Sequence, residues 1–406
     1  MLMELRPIRG SLGIFCDDRD ADMRVGIAGP ISTEALRGYL TDFEGMPPGL
    51  GGSPVTSLVT GLLRRGIDVS VFTLDKSVRE DVVYRGRNLT VYVGRYRPRA
   101  RDRALTFFRE ERAAIRRFVA ADQPDVVHAH WTYEFALGAL SVRPDTVVTL
   151  HDWSPTILSL NRDAYRFVRL LMDRFCIRKA RTLTCVSPYI AELLRDGRRS
   201  AVVVPNIAPP VADRDCRELK PGHATILCVT EGFGKLKNVA TLLEAYSRLH
   251  AERPGVTLRL VGGGMGSGGP CHSWAAERRL DFGVEFMGRR AHDEVLDLMR
   301  CSDLLVHPSL EESFGMVLVE AMSSGTPVIG GVHSGAVPWV LDNGAAGVLV
   351  DVRSASSLAD AMRRTLDDTA AWLCYSLAGR ERVSSCFGEA SVVDGYLAVY
   401  TEVIER

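Results

Sequence analysis

Short apolar stretches rich in β-branched residues alternate along the chain with segments whose apolar residues recur at helical spacing. In the first half the predicted strands are 24–29, 68–74, 89–93, 125–130, 146–151, 182–186 and 201–205, and in the second half they are 224–230, 256–262, 284–288, 303–308, 327–331 and 346–352. Strands that alternate with helices are typical of parallel sheets covered by helices on both faces. The pattern therefore predicts an α/β, doubly wound protein.

The stretch "NIAPPVADRDCRELKPGH" at 206–223 interrupts this alternation with prolines and charges, and we interpret it as the interdomain linker. A chain of 406 residues is long enough for two domains. The predicted division is a first Rossmann-like domain over 1–205, a second over 206–388, and a last helix over 389–406 that returns to the first. The carboxyl ends of the two sheets would then form a cleft, which is the usual ligand site in such folds.

Composition excludes several function classes. The 50 basic and 50 acidic side chains balance, which argues against a dedicated nucleic-acid binder. None of the nine cysteines forms a CxxC pair, so the sequence indicates neither a disulfide framework nor a zinc site, and a reducing, cytoplasmic compartment is predicted. No apolar run reaches 18 residues and the first 20 residues lack a continuous signal-peptide core, so the protein is predicted to be soluble or at most peripheral to a membrane.

Two carboxylates mark the otherwise apolar segment "EESFGMVLVEAM" at 311–322. Glu312 precedes a helix predicted to begin near 313–315, so it lies near the helix's positive end, where free amides can bind a diphosphate. Glu320 lies among apolar residues and requires a partner. Two interpretations are open: a loop carboxylate with a core glutamate that pairs with a neighbouring arginine, or two carboxylates roughly 12 Å apart along the helix that each bind a diol.

The stretch "HPSLEESFGMVLVEAMSSGTPVIGG" at 307–331 resembles the E-x7-E motif of the retaining family-4 glycosyltransferases, and the resemblance extends over most of the chain. These enzymes have the GT-B fold of two facing Rossmann-like domains. The resemblance implies that Glu312 binds hydroxyls of the donor hexose and that Glu320 holds the ribose of a UDP- or GDP-linked sugar. It also implies that the diphosphate is bound by the amides around Phe314, Gly315, Met316 and Val317.

The first domain supplies further candidates. Gly51 and Gly52 precede a helix predicted over 54–65 and resemble the family's glycine loop, in which the backbone approaches a phosphate or an acceptor closely. His151 ends a predicted strand and resembles the family histidine at the donor sugar, although lone histidines are more often structural. The acceptor-binding candidates are His130, Trp131 and Tyr133.

The loop that opens the second domain carries two lysines. In "VTEGFGKLKN" at 229–238, Lys237 matches the family lysine, whose charge would stabilise a leaving diphosphate. Many relatives have a Gly-Arg pair at the strand end, where this chain has Glu231 and Gly232. Lys235 is the candidate replacement for that arginine, and the identity of the second phosphate-binding cation stays open.

Two other patterns have simpler explanations. The G-x-G-x-x-G spacing within 261–270 occurs in a run of glycine and serine, so we interpret it as a chance match and not as a nicotinamide site. The segment 95–118 holds nine arginines against three acids. Such a segment is usually a solvated helix face, and the alternative is a patch for an anionic lipid or acceptor, which would allow peripheral membrane contact.

The sequence as a whole predicts a metal-independent, retaining hexosyltransferase without a cofactor, with His151, Lys237 and Glu312 in catalytic roles. The acceptor would be the hydroxyl of a sugar, a lipid-linked sugar or a small molecule. Two alternatives are a non-hydrolysing nucleotide-sugar epimerase, which would need acid and base groups at the sugar, and a sugar-nucleotide-binding protein without turnover.

Overall fold

A computed structural model describes residues 23–160, 162–211, 219 and 221–406 of the chain, which form two sheets covered by helices on both faces. Residues 1–22, on which the signal-peptide prediction falls, lie outside the described residues together with Cys16. Residues 212–218 of the predicted linker, with Cys216, and residue 220 also lie outside them.

The first sheet has eight strands: β1 Arg24–Ala28, β2 Asp68–Asp75, β3 Val82–Arg85, β4 Leu89–Arg95, β5 Val126–His130, β6 Val147–Leu150, β7 Thr182–Cys185 and β8 Val202–Val203. Their order is β3-β4-β2-β1-β5-β6-β7-β8. Neighbouring strands run parallel except β3, which pairs antiparallel with β4 at the edge. The carboxyl ends of the seven other strands therefore lie along one side of the sheet.

The second sheet has six strands, all parallel: β9 Thr225–Val229, β10 Thr257–Val261, β11 Val284–Gly288, β12 Leu304–His307, β13 Val328–Gly331 and β14 Val348–Val350. Their order is β11-β10-β9-β12-β13-β14. The order reverses direction beside β9, so the loops after β9 and β12 leave the sheet at the switch point where ligands bind in such folds.

Helices connect these strands. They are α1 Ser53–Arg64, α2 Ala100–Leu105, α3 Arg109–Asp122, α4 Glu134–Leu140, α5 Ser154–Leu160, α6 Ala164–Lys179, α7 Pro188–Asp196, α8 Val239–Glu252, α9 Pro270–Glu277, α10 His292–Arg300, α11 Met316–Ser323, α12 Val337–Val340, α13 Ala355–Asp367, α14 Thr369–Arg382 and α15 Glu389–Ile404. Short 3-10 turns lie at Glu34–Tyr39, Pro221–His223 and Asp342–Gly344, and a π-helical turn at Val383–Phe387.

The predicted fold class is confirmed, and each predicted strand is present with its ends close to the predicted ones. The sequence missed β3, whose four residues alternate between half-buried and exposed positions. An antiparallel edge strand of that length carries too few apolar residues to be distinguished from a loop.

The last helix, α15, packs against the first domain. Its buried residues Val393 and Tyr400 belong to the same apolar core as β1 and α1. The phenol of Tyr400 lies 2.7 Å from Nδ1 of His128 on β5. Ion pairs from α15 to Arg64 and Arg65 add to this contact at the surface. The helix thus joins the end of the chain to the centre of the first sheet.

The arginine-rich segment 95–118 is not one solvated face. Arg97 pairs at 2.7 Å with Glu111, whose side chain is fully buried, and Arg117 pairs with Asp81 at 2.6 Å. Arg103 is buried. Several of these arginines thus form ion pairs or are buried within the first domain. Contact of this segment with a membrane stays a prediction.

Helices capable of crossing a membrane are absent from the described part of the chain, because each is too short or too polar for a span. Seven cysteines fall within the described residues and all are free thiols, four of them buried: Cys176, Cys185, Cys228, Cys271, Cys301, Cys374 and Cys386.

Candidate active site

A cavity of about 490 Å³ lies between the two domains at the carboxyl ends of both sheets. The first domain contributes loops after β5 and β6 together with α5, and the second contributes loops after β9 and β12 and the start of α11. Its lining includes Pro54, Trp131, His151, Asp152, Thr156, Ile157, Thr230, Leu236, Lys237, His307, Glu312, Phe314, Gly315, Met316 and Val317. Across the domains, the Ser187 hydroxyl donates to the carbonyl of Ser313 at 2.6 Å.

Glu312 lies at the centre of the polar wall. Its Oε1 accepts hydrogen bonds from Lys237 Nζ at 2.7 Å and from His307 Nε2 at 3.1 Å. Burial alone would raise the pKa of this carboxyl, but the hydrogen bonds and charges of His307 and Lys237 outweigh it and hold the pKa well below its usual range. Glu312 is therefore ionised in the cavity.

The loop that carries Lys237 is fixed from both sides. Asn238 adopts a left-handed conformation with φ 53°, and its side-chain amide donates to the carbonyls of Pro308 and Val352 at 3.1 and 2.8 Å. The amide of Leu310 donates to the carbonyl of Leu236 at 2.8 Å. These bonds join the loop after β9 to the loop after β12, so Lys237 and Glu312 meet although 75 residues separate them.

Helix α11 begins at the cavity wall. Gly315 precedes it with φ 93°, a conformation that residues with a Cβ rarely adopt, and a Cβ there would lie 2.8 Å from the Leu318 side chain. Met316 and Val317, the first residues of α11, line the cavity. Their amides have no partner within the helix, so the helix start provides donors and a positive dipole end beside Lys237.

On the facing wall, the three predicted residues His130, Trp131 and His151 form one group. His130 Nδ1 lies 2.9 Å from His151 Nε2, and the Trp131 ring stacks on His151 with centroids 4.2 Å apart. Burial lowers the pKa of His151 to about 3, so its ring is neutral at physiological pH. His151 and Trp131 line the cavity, whereas His130 is buried behind them.

Other predicted residues lie away from this lining. Tyr133 is buried and donates to Asp152 Oδ1 at 2.7 Å, so it contacts the cavity wall from behind. Gly51 and Gly52 lie just before Pro54, and a Cβ on Gly52 would lie 2.4 Å from the Pro30 carbonyl oxygen. Lys235 is exposed and does not contribute to the lining, in contrast to Leu236 and Lys237 beside it.

Glu320 has a partner that the sequence did not indicate. Its Oε1 lies 3.0 Å from Nε2 of His292, the first residue of α10, and its side chain is only 7% exposed. Glu320 also lies outside the cavity lining. The hydrogen bond with Glu320 raises the pKa of His292. The expected ribose contact of Glu320 stays a prediction, and the residue needs a test that separates donor binding from stability.

Glu320→Gln is expected to lower the melting temperature more at pH 5.5 than at pH 8.5. A histidine whose pKa is raised by folding adds stability below its unfolded value near 6.5, and this contribution is lost as the pH rises through the folded value. Because His292 is half exposed, solvent screening limits the difference to about 1–3 °C. Thermal melts of both proteins at the two pH values measure it.

The donor affinity of the same variant decides the role of Glu320. Weaker donor binding at pH 8.5 with an unchanged melting temperature supports the ribose contact. A lower melting temperature at unchanged donor affinity identifies Glu320 as a structural partner of His292 and contradicts the ribose assignment.

Two functional candidates were missed by the sequence. His307 ends β12, as His130 ends β5, so the rule applied to the first domain also points to it; its Nδ1 has no hydrogen-bond partner within the described residues. Arg289 follows β11 and pairs with Glu231. A cation therefore stands beside the position where an arginine was expected, but it comes from a loop 58 residues further along the chain.

A second cavity of about 480 Å³ adjoins the cleft at Glu231 and lies among the glycines after β10. Gly262 has φ 129°, and a Cβ there would lie 1.8 Å from the carbonyl oxygen of Thr230. Glycine is thus required for the close approach of this loop to the loop after β9. The glycine run thus allows close packing of the two loops, and its residues line the cavity beside the cleft.

Sequence profiles of two glycosyltransferase families match the chain in succession. "Glycosyltransferase Family 4" matches residues 54–209 and "Glycosyl transferases group 1" matches residues 214–378. The chain is 31% identical over 301 residues to the glycogen synthase of Mycobacterium tuberculosis, and the aligned region covers 68% of this chain and 69% of that protein. It is 28% identical over 383 residues to the N-acetyl-alpha-D-glucosaminyl L-malate synthase of Bacillus anthracis, and the aligned region covers 88% of this chain and 95% of that protein.

Among solved structures, sucrose-phosphate synthase from Thermosynechococcus elongatus superposes with a TM-score of 0.75 at 20% identity, over 94% of this chain and 99% of that one. At this identity the likeness shows the fold alone, and it confirms the predicted GT-B arrangement of two Rossmann-like domains. Together with the two profiles and the relatives, it shows that the chain is a glycosyltransferase of family 4.

Proposed function

We propose that the cleft transfers a hexose from a UDP- or GDP-linked sugar to an acceptor hydroxyl with retention of anomeric configuration. The observation that carries this proposal is the ionised Glu312 held 2.7 Å from Lys237 at the start of α11. One wall then presents a carboxylate that can accept from sugar hydroxyls, and next to it a lysine and helix amides that can bind a diphosphate.

In the proposed reaction the bond between the anomeric carbon and the diphosphate oxygen breaks, and the diphosphate leaves with the electron pair. The acceptor oxygen forms a bond to the same face of the anomeric carbon, and its proton passes to the departing diphosphate oxygen. Lys237 and the first amides of α11 would stabilise the negative charge that develops on the leaving group. Glu312 would fix the sugar hydroxyls, so catalysis relies on positioning and charge.

The remaining cavity residues fit supporting roles. The neutral ring of His151 and the stacked Trp131 would form the wall opposite Glu312, where the donor hexose meets the acceptor. The adjoining space beside Glu231 and Arg289 is large enough to receive the nucleoside. Lys235 remains a candidate for the second phosphate contact, and Arg289 is an alternative from the neighbouring loop.

Donor turnover is expected to be unaffected by EDTA, because Lys237 and the α11 amides supply the positive charge that a divalent ion would otherwise provide. The measurement is nucleoside-diphosphate release with EDTA, and with EDTA followed by excess Mg²⁺ or Mn²⁺. Loss of activity in EDTA that either metal restores would contradict metal-independent transfer.

A thermal-shift screen against UDP- and GDP-hexoses tests donor binding, since a ligand that binds only the folded protein raises its melting temperature. A shift with one donor that is lost in Lys237→Ala is the expected result. The absence of a shift with every donor in the panel, at concentrations well above usual donor levels, would contradict the proposal.

A further inference from the structure

Two loops of the first domain form the cleft wall that faces Glu312. The loop after β5 carries Trp131, and the loop after β6 carries His151. The backbone of Trp131 has φ 62°, a conformation uncommon outside glycine, and its amide donates to the carbonyl of Thr149 at 3.0 Å. Residues beyond this bond belong to neither strand, so the two loops depend on side chains to hold them in place.

One carboxylate from α6 binds both loops. Asp173 Oδ1 accepts a hydrogen bond from the hydroxyl of Thr132 at 2.5 Å, and its Oδ2 accepts one from the hydroxyl of Ser154, also at 2.5 Å. Thr132 directly follows Trp131 in the loop after β5, and Ser154 is the first residue of α5, three positions after His151. The carboxylate and both hydroxyl residues are buried. Asp173 thus joins the two loops to each other and to α6.

The surroundings of this carboxylate disfavour its charge. Burial raises the pKa of Asp173 to about 6, although the hydrogen bonds from Ser154 and Thr132 lower it. The nearby carboxylate of Asp152 raises this pKa further, and the guanidinium of Arg169, one turn earlier on α6, lowers it. Asp173 is therefore ionised at pH 8 in spite of its burial.

This charge costs stability. A folded-state pKa above the unfolded value of about 3.9 means that the folded protein binds the proton of Asp173 more tightly than the unfolded chain does. The contribution of this group to stability is greatest below about pH 4 and decreases as the pH rises to about 6. A buried group that is ionised at the expense of the fold is typical of functional sites.

Asp173 acts on the cleft from behind. It does not line the cavity, whereas Trp131 and His151 do, with their rings stacked at a centroid distance of 4.2 Å. Both rings belong to residues next to, or within three positions of, the hydroxyls that Asp173 binds. A shift of Thr132 or Ser154 would therefore move the rings of the wall.

We propose that Asp173 is a positioning residue of the glycosyl transfer. It holds Trp131 and His151 in the geometry that the transition state needs, because its two oxygens bind Thr132 and Ser154, and it touches neither substrate. The inference rests on the proposed function, since that reaction brings the donor hexose and the acceptor against this wall. Loss of one acceptor oxygen is then expected to lower kcat and to leave binding of the nucleotide, which is expected on the second domain, unchanged.

Asp173→Asn tests the inference, because the amide keeps the shape but offers one acceptor oxygen where the carboxylate offers two. Nucleoside-diphosphate release from UDP- and GDP-hexoses is measured at saturating donor with a panel of hydroxylated acceptors. The affinity for free UDP and GDP is measured by calorimetry. The expected result is a kcat lowered about 10- to 100-fold, at a nucleotide affinity within about twofold of that of the wild type.

The melting temperature of the same variant, measured at pH 8, separates positioning from a role in the fold. It is expected to stay unchanged or to rise, because asparagine resembles the protonated acid and removes the buried charge. A lower melting temperature with an unchanged kcat would identify Asp173 as a structural residue and overturn the inference. A nucleotide affinity that falls in step with kcat would assign Asp173 to donor binding and would also overturn it.

Asp163→Asn is the matched control. Asp163 is an exposed aspartate that caps the start of the same helix α6, where its side chain accepts from the amide of Arg166. The control is expected to keep the wild-type kcat and nucleotide affinity.

Substitutions at Thr132 keep the test valid if Asp173→Asn is unstable. Thr132→Val removes the hydroxyl at nearly the same shape and is expected to lower kcat about fivefold, because one bond to Asp173 is lost. Thr132→Ser keeps the hydroxyl and is expected to recover most of the rate. Equal kcat in the Thr132→Val and Thr132→Ser proteins would contradict the role of this bond and overturn the inference.

Turnover by the wild-type protein separates this inference from the proposed function. A wild-type protein that releases no nucleoside diphosphate from any donor with any acceptor refutes the proposed function and the inference with it. Wild-type turnover that Asp173→Asn retains in full refutes the inference alone.

Discussion

Replacing Glu312 with glutamine is expected to lower kcat by at least about 100-fold, which would be among the largest effects of a single substitution in this protein. The carboxylate is ionised and lies against Lys237 and His307 in the cleft. Glutamine keeps the shape but removes the charge and one acceptor oxygen. Sugar hydroxyls and the positive charge that develops on the sugar ring would then lose their partner in the transition state.

Glu285→Gln is the matched control. It also breaks an ion pair of the second domain, the 2.8 Å contact with Arg259, but that pair is partly exposed and joins β10 to the edge strand β11, away from the cleft lining. The control is expected to retain the wild-type kcat. Wild-type kcat in Glu312→Gln, with both variants folded, would reduce Glu312 to a structural partner of Lys237.

Lys237→Ala is expected to lower kcat about 100-fold with little change in melting temperature. Its side chain is 25% exposed and contributes charge to the cavity more than it contributes packing, so its loss removes stabilisation of the leaving diphosphate. Glu312 keeps its contact with His307, so the carboxylate is not left without a partner. Initial rates at saturating donor measure the effect.

Three comparisons sharpen the lysine test. Lys179→Ala removes an exposed lysine of the first domain and is expected to retain the wild-type rate. Lys237→Arg preserves the charge and is expected to recover part of the activity. Lys235→Ala tests the candidate second cation; if Lys235 binds the diphosphate, the donor KM rises. A wild-type rate in Lys237→Ala would place the diphosphate contacts elsewhere.

The strands and several residues of the cleft wall could be predicted from the sequence, because both follow from the residues within short stretches of the chain. Buried parallel strands appear as short apolar runs, and the residues that follow them are brought to one edge of the sheet by topology alone. His151, Lys237 and Glu312 were singled out by the resemblance to the family together with their positions after strands, and they line one cavity.

Contacts between distant segments were not accessible to the same reasoning. The sequence indicated that Glu320 needed a partner, but His292 lies on another helix and no spacing rule connects the two. Arg289, which follows β11, reaches Glu231, which follows β9, because both strands flank β10 in the sheet. Arg103 and Arg169 meet in one cavity from two different helices, and among nine arginines in 95–118 nothing marked Arg103 as the one that would be buried there.

Acceptor-dependent release of nucleoside diphosphate tests the central claim most directly. The purified protein is incubated with UDP- and GDP-hexoses, with and without hydroxylated acceptors, and the products are identified together with their anomeric configuration. Hexosyl transfer predicts release that requires an acceptor and a glycoside with the configuration of the donor. Conversion of the donor to its epimer without an acceptor, or donor binding with no turnover under any condition, would contradict it.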